Sequence, residues 1–325
     1  MDVPSPQFAE LFVKTRTLCI GRFLIDVPLA ADVVYGPADV ALKTERYPDK
    51  GVDMDLIVTR RLAEIVDEQS HSPKAFQVTV PLVGTVREGV VPGQKIIFGA
   101  SKSSESFYLI ESYLKVGNDL FVQEGIAYGE NGEYEDVVRT MNFIAPMLRT
   151  RQDGVPPVGP GICIDGGFIQ GPSRLNYENL KLGVRLSGFP DVHFSLATSM
   201  KPFLIESDEL EPRLKQAEQM AQRSGQGAWY SRIKTLRRGQ RQIGNWSGFE
   251  VLARKPSQAS EGESHEFAFV SQGEPNNPLL PVLDLSMHTG VKGNTIGGRR
   301  PSITDDEAIF LWDKLTQSIR PRPVE

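Results

Sequence analysis

TLCIGRFLIDVP at 17–28 and GICIDGGFIQGP at 161–172 are the stretches on which the reading of the fold turns. Each places a cysteine in a short apolar run, follows it with glycine and a second apolar run, and ends on proline. Cys19 answers Cys163 and Pro28 answers Pro172. Further along, PGQKIIF at 92–98 resembles SGFEVLA at 247–253, and Gly129 and Gly132 of AYGENG answer Gly290 and Gly293 of HTGVKG. Val137, Met141, Ile144 and Leu148 then recur as Ala308, Trp312, Leu315 and Ile319, each series followed by an arginine, Arg149 and Arg320. The matches keep their order while their spacing widens in one direction, the pattern that insertions into a duplicated domain leave behind. TRQDGVPPVGPG at 150–161 crowds three prolines and three glycines between periodic segments, the composition of a linker. Two similar domains are expected, residues 1–152 and 153–325.

Within each half the order of patterns is an opening apolar run, a helix, several strands and a closing helix, which predicts α+β domains built on antiparallel sheets with two helices each. Strands are expected at 77–86, 95–100, 106–116 and 120–128 in the first half. In the second they are expected in ENLKLGVRLSG, VHFSLAT, GFEVLA, HEFAFV and PVLDLSMH. Helices are expected at 55–69, with Val58, Leu62, Ile65 and Val66 on one face, and at 208–223, with Leu210, Leu214, Ala217 and Ala221 on one face. Thr304 with Glu307 three residues on reads as a capping box that starts the last helix. Pro146, lacking an N–H, should end or kink the closing helix of the first half.

The 325 residues carry 41 acids against 36 bases, a net charge of −5, which disfavours a general nucleic-acid binder. The charge is uneven. Through residue 155 there are 16 bases and 22 acids, and after it 20 and 19, giving −6 and +1. No run reaches the ~20 apolar residues of a membrane span, so no membrane insertion is expected. MDVPSPQFAELFVKT has no basic region followed by an apolar one, so either the protein acts inside the cell or a leader has been removed.

No constellation for catalysis, metal or cofactor stands out. The nucleophile elbow G-x-S-x-G is absent, and His71, His193, His265 and His288 occur singly without ligand spacing. GPGICIDGG at 159–167 lacks the lysine of a phosphate loop and reads as a turn leading into a strand. Asp26 and Asp165 follow their cysteines at different distances and make no carboxylate pair. Cys19 and Cys163 are best read as two free, small, buried residues of their opening strands, with a bridge as the alternative. RIKTLRRGQR at 232–241 holds five bases and no acid, just after Trp229 and Tyr230, and GGRRP adds Arg299 and Arg300. A solvated face explains the charge. Aromatics beside arginines are also the composition of interface anchors, so Trp229, Tyr230, Arg237, Arg238, Arg299 and Arg300 are the candidate partner-binding residues.

CIGRFLIDVP, FYLIESYLKVGNDLFV, GICIDGGFI, HEFAFVSQGEPNNPLLPVLDLSMHTG and SITDDEAIFLWDKLTQSIRPRP together resemble the immunity proteins of the type VI secretion system that neutralise phospholipase effectors, of the class paired with the fourth family of such lipases. The likeness runs in order over nearly the whole chain. It implies a non-catalytic, two-domain protein without a cofactor that binds a cognate secreted lipase, occludes it sterically and acts in the periplasm, with a cytoplasmic version as the alternative. It transfers no catalytic residue. Two other readings are an envelope-associated binding or structural module and an enzyme with a dispersed site, for which His193 with a distant carboxylate is the example.

Overall fold

The computed structural model describes residues 6–70, 80–101, 106–129, 132–171, 177–258 and 261–323. After a short helix, α1 (Pro6–Leu11), come strands β1 (Thr15–Ile20), β2 (Phe23–Pro28), β3 (Ala31–Tyr35), β4 (Ala38–Val40) and β5 (Leu42–Tyr47). Helix α2 (Met54–Ser70) precedes β6 (Val86–Glu88), β7 (Lys95–Ala100), β8 (Phe107–Val116) and β9 (Asp119–Tyr128), and α3 (Tyr134–Ile144) precedes β10 (Leu148–Thr150). The second half runs β11 (Gly161–Ile164), β12 (Gly167–Gln170), β13 (Glu178–Leu186), β14 (Phe189–Ser199), α4 (Leu210–Arg223), α5 (Gly227–Tyr230), β15 (Lys234–Ile243), β16 (Trp246–Lys255), β17 (Ser264–Ser271), β18 (Val282–His288), α6 (Asp305–Gln317) and β19 (Arg320–Pro321). The class is α+β, and the named strand pairs within each unit are antiparallel.

The chain forms two compact units. One comprises Met1–Gly36, Asp153–Val158 and Asn176–Glu325, the other Pro37–Gln152 and Gly159–Leu175. These units and the sequence halves 1–152 and 153–325 are different divisions of the chain, because each opening hairpin lies in the unit formed mostly by the other half. In the larger unit the strands run β3-β13-β14-β18-β17-β16-β15, beside a three-stranded sheet β1-β2-β19. In the smaller they run β4-β5-β9-β8-β7-β6, beside β10-β12-β11.

Both opening hairpins close in two residues, Gly21–Arg22 and Asp165–Gly166, the tight connection whose twist matches the strands. Gly166 has a φ of +52°, and a Cβ there would stand 2.3 Å from the guanidinium of Arg46. That arginine pairs with Asp119 at 2.7 Å and Asp165 at 3.5 Å. GPGICIDGG is thus a strand, a turn and the start of a second strand. The expectation of free thiols is corrected: neither cysteine is free, and both are disulfide-bonded. Each is also buried, as expected; burial and oxidation are compatible, and the residue type alone did not decide between them.

The core of the larger unit is aromatic. Trp312 of α6 meets the edges of Phe194 and Phe267, each with ring centres 6.0 Å away, and Phe23 packs on Trp246 at 4.8 Å. Thr304 and Glu307 make the expected capping box at the start of α6. In the smaller unit Phe98, Tyr108 and Tyr134 form a mutual edge-to-face cluster with the Arg87 guanidinium 4.9 Å over Phe98. Pro146 falls in a single 3₁₀ turn that ends α3 at Ile144. Val66 of α2 and Ala217 of α4 are exposed, so each helix buries a narrower stripe than its apolar spacing suggests. Of the strand expected at 77–86, residues 77–79 lie outside the described residues, Pro81–Gly84 form turns, and pairing begins only at Val86.

Gln123, at the centre of β9, is fully buried between Thr44 and Ser112, and neither end of its amide meets a hydrogen-bond partner among the described residues. An apolar residue of similar shape relieves that desolvation. Gln123→Met is expected to raise stability by about 1 kcal/mol in urea unfolding; a loss would show that the amide is satisfied.

Candidate functional site

The basic segment singled out from sequence is an edge strand. Among the described residues β15 pairs with β16 alone, and charge on such an edge discourages unwanted pairing. A bulge between Thr235 and Arg237 brings Arg237 and Arg241 onto α6. Arg237 donates through Nε to Glu250 at 2.6 Å and through Nη2 to Asp313 at 2.5 Å. Arg241 reaches Glu250, Asp313 at 2.9 Å and the Thr316 hydroxyl at 2.9 Å. Trp312 Nε1 donates to Glu250 at 2.7 Å. The hydrogen bonds to Asp313 first, and to Glu250, hold Arg237 more firmly protonated than a free guanidinium despite its partial burial. Two acids and two arginines therefore close on one another.

The other nominated residues occupy different neighbourhoods. Arg238 faces the opposite way, 5.6 Å over the Phe249 ring and 4.0 Å from Glu211 of α4. Trp229 and Tyr230 lie half-buried on α5, with the Trp229 Nε1 donating to Pro256 O at 3.2 Å. Arg299 and Arg300 are exposed in the loop between β18 and α6, where Arg299 Nε donates to Val291 O at 2.9 Å. Arg300 lines a cleft of about 480 Å³ with Arg254, Glu263, His265, Ser302 and Asp305.

Beneath that cleft His265 joins Thr289 Oγ1 through Nδ1 at 2.8 Å and Asp305 through Nε2 at 2.9 Å. The residue types are those of a nucleophile, base and acid, but Thr289 is fully buried and its oxygen also accepts the backbone N–H of His265 at 2.9 Å, so no substrate reaches it. The network fixes the start of α6 instead. Hydrogen bonds from Lys234 and His265 outweigh the burial of Asp305 and hold its carboxyl below the usual range. On β14 and β18, His193 and His288 are cross-strand neighbours. The dispersed-site example therefore finds a second histidine beside His193. Among the described residues no group of three or more His, Cys, Asp or Glu is placed to hold a metal ion, and no helix is long and apolar enough to cross a membrane.

Burial pushes His193, His265 and His288 below the ordinary imidazole range. Their neutral forms are bound more favourably in the fold than in the unfolded chain, so this stability is complete above pH ~6.5 and is lost as pH falls through the lowered values. Asp284, pushed up by burial, acts in the opposite sense. Thermal melting is expected at a lower temperature at pH 5 than at pH 7.5, with a shallower decline in His265→Gln. A melting point that stays level or rises on acidification refutes the assignment.

Two loops that the sequence reading passed over carry four exposed large apolar side chains of the larger unit. Between β14 and α4, Phe203, Leu204 and Ile205 are 61%, 50% and 39% exposed, and between β17 and β18 Leu279 is 56% exposed. Asn276 N donates to Lys201 O at 2.9 Å, its side-chain amide to Pro202 O at 3.4 Å, and Gln272 Nε2 to Ile205 O at 3.1 Å, tying one loop to the other. The signal was available: three apolar residues between Pro202 and Glu206 fit neither helical nor strand periodicity.

No curated protein sequence matches the chain. Among solved structures its fold is similar to the apo form of TplEi, an immunity protein of the T6SS from Pseudomonas aeruginosa, at 24% identity and a TM-score of 0.74 over 96% of this chain and 98% of that one. It is similar to TplEi complexed with an "L" peptide at 24% identity and 0.70, over 96% and 99%. A chain of the crystallised Tle4–Tli4 complex matches at 24% identity and 0.74, over 96% and 98%. Residues 156–324 match the family model for the C-terminal domain of Tle cognate immunity protein 4. That match spans just over half of the sequence, and the chain belongs to the Tle cognate immunity protein 4 family.

Proposed function

We propose that this chain is a non-catalytic immunity protein that binds a cognate secreted lipase effector and blocks it by steric occlusion, protecting the cell that makes it. The family match over 156–324 carries the reading. The likeness of nearly the whole fold to a chain of the Tle4–Tli4 complex supports it. Periplasmic action is part of the proposal, and disulfide-bonded cysteines suit an oxidising compartment. Arg238, Arg299 and Arg300, which face solvent, with Trp229, Tyr230 and the partly exposed Arg237, form a polar contribution to the contact surface, acting through association rate and salt dependence.

The halves 1–152 and 153–325 are proposed as copies of one ancestral domain. Each runs through a hairpin, strands, a helix, four strands, a closing helix and a short strand. The strand order β4-β5-β9-β8-β7-β6 corresponds element by element to β13-β14-β18-β17-β16-β15. This agreement supports duplication.

The functional test is co-purification with the lipase whose gene adjoins its own, followed by a phospholipase assay with and without the complex. A one-to-one complex that silences hydrolysis is expected. Absence of both binding and inhibition refutes the proposal.

A further inference from the structure

We propose that His193 of β14 and His288 of β18 form a two-imidazole site for a divalent transition metal ion, on the face of the larger unit's sheet turned away from α6. The site is independent of any protein that the chain binds.

Register brings the two rings together. β14 and β18 run antiparallel, and His193 stands directly opposite His288; residues so placed share a face, with Cβ atoms about 5 Å apart. Phe194 and Phe267, the neighbours of His193 and Glu266 along their strands, turn to Trp312 of α6, so the histidines turn to the other face. Their spacing lets two imidazoles reach one ion at the ~2.1 Å of a metal–nitrogen bond. The same row continues to Arg185 beside His193 and to Glu266 beside His288, where Glu266 is held by Lys255 at 2.5 Å. Among the described residues no third His, Cys, Asp or Glu is placed to join the pair, so the chain supplies two ligands and water completes the shell. There is room for that water: His193 lines an open cleft of about 330 Å³ with Gly183, Ser195 and Ala197. Ser195 stands opposite Ser286, two places along from the histidines on the same face, which sets two hydroxyls beside the site.

The ring nitrogens are disposed as in metal ligands. His265 spends both of its own, on Thr289 and Asp305. His193 instead gives one ring N–H to the Pro190 carbonyl, the kind of contact that fixes the tautomer of a ligating histidine, and a neutral imidazole so held keeps a lone pair on its other nitrogen. His288 Nδ1 is shielded from water and meets no hydrogen-bond partner among the described residues. A shielded polar atom without a partner calls for an explanation, and a bound ion is one. Imidazole donors select Cu²⁺, Zn²⁺ and Ni²⁺; Mg²⁺ and Ca²⁺ take oxygen.

The test uses the full chain without a histidine tag, titrated calorimetrically with Zn²⁺ in the presence of excess Mg²⁺. One ion per chain is expected, with the melting temperature raised by about 2 °C or more at saturation. His193→Gln and His288→Gln are each expected to weaken binding by more than the ~10-fold that loss of an outer-shell partner costs a metal site, whereas His71→Gln keeps wild-type affinity. Cu²⁺ in place of Zn²⁺ reads the ligands in the wild-type chain: electron paramagnetic resonance is expected to show coupling to two imidazole nitrogens, which decides the matter even where a variant fails to fold. No saturable uptake of Zn²⁺, wild-type affinity in both single variants, affinity lost through His71 instead, or a Cu²⁺ spectrum without two imidazoles each overturns the site.

Discussion

Glu250→Ala is expected to cost about 3–5 kcal/mol of folding stability, the range for breaking a buried ion pair by removing one partner. The Glu250 side chain is 3% exposed and answers three donors: Arg237, Arg241 and the indole N–H of Trp312. Asp313 remains in the variant and still reaches both arginines. The Trp312 donor loses its carboxylate, and Arg241, 15% exposed, loses its buried partner. Trp312 is itself fully buried, so the damage reaches the contact between α6 and the sheet. Glu250→Gln keeps an acceptor for the indole and gives up the charge, and is expected to fall between wild type and Ala. Chemical unfolding at neutral pH measures both. A loss below about 1 kcal/mol for the Ala variant would place the network among surface ion pairs of little consequence.

That network also shows why one part of the fold was hard to read. Strands β13, β14, β17 and β18 were legible because apolar residues recur at every second place, and β8 and β9 because aromatic and aliphatic runs are bounded by turn residues. β15 buries little except Ile243, and its inward positions are arginines. Their counterions sit elsewhere, the buried Glu250 in β16 and the half-buried Asp313 in α6, each beside apolar residues. Pairing an unexplained base with an unexplained acid across 13 or 76 residues requires the fold first. The same holds for β5, whose LKTERY carries charge at three of its six places and pairs Lys43 with Glu124 across the sheet.

The matched sequence segments fall on both opening hairpins and both closing helices, but do not give the partners of the short strands that follow. Arg149 and Arg320 matched in sequence, and each begins or lies in a strand that pairs with a hairpin from the other half: β10 with β12, and β19 with β2. Which of two similar hairpins a strand chooses depends on chain connectivity, and local propensity is the same for either. The candidate interface divides along a similar line. Charge and aromatic residues drew attention to 229–241, where Arg237 proves to be held by internal acids. The uncharged loops 202–205 and 278–281 carry exposure that only the folded backbone reveals, because an apolar residue outside any periodic pattern does not announce which side of the surface it occupies.

Arg22→Met is expected to destabilise the protein by about 3–5 kcal/mol, and the double variant Arg22→Met with Glu178→Met to recover most of that loss. Arg22 occupies the tight turn between β1 and β2 and reaches Glu178 at the start of β13, with Nη2 to Oε1 at 2.5 Å and Nε to the two oxygens at 3.1 and 3.2 Å. Both side chains are under a tenth exposed. The backbone carbonyl of Arg22 also accepts the N–H of Arg322 at 2.8 Å, and burial, with the nearby Arg22, pushes the Arg322 guanidinium below its ordinary range. Burial already holds the Glu178 carboxyl above the usual range against the pull of Arg22. In Arg22→Met that pull is gone and the carboxyl rises further, so the folded state binds a proton that the unfolded state releases. The variant's deficit should therefore be smallest below the unfolded carboxyl value of ~4.3 and deepen as pH rises through the folded one. A deficit that does not change between pH 4.5 and 7.5, or a double variant as unstable as the single, would mean that lost packing at the turn, and not an uncompensated buried charge, accounts for the arginine.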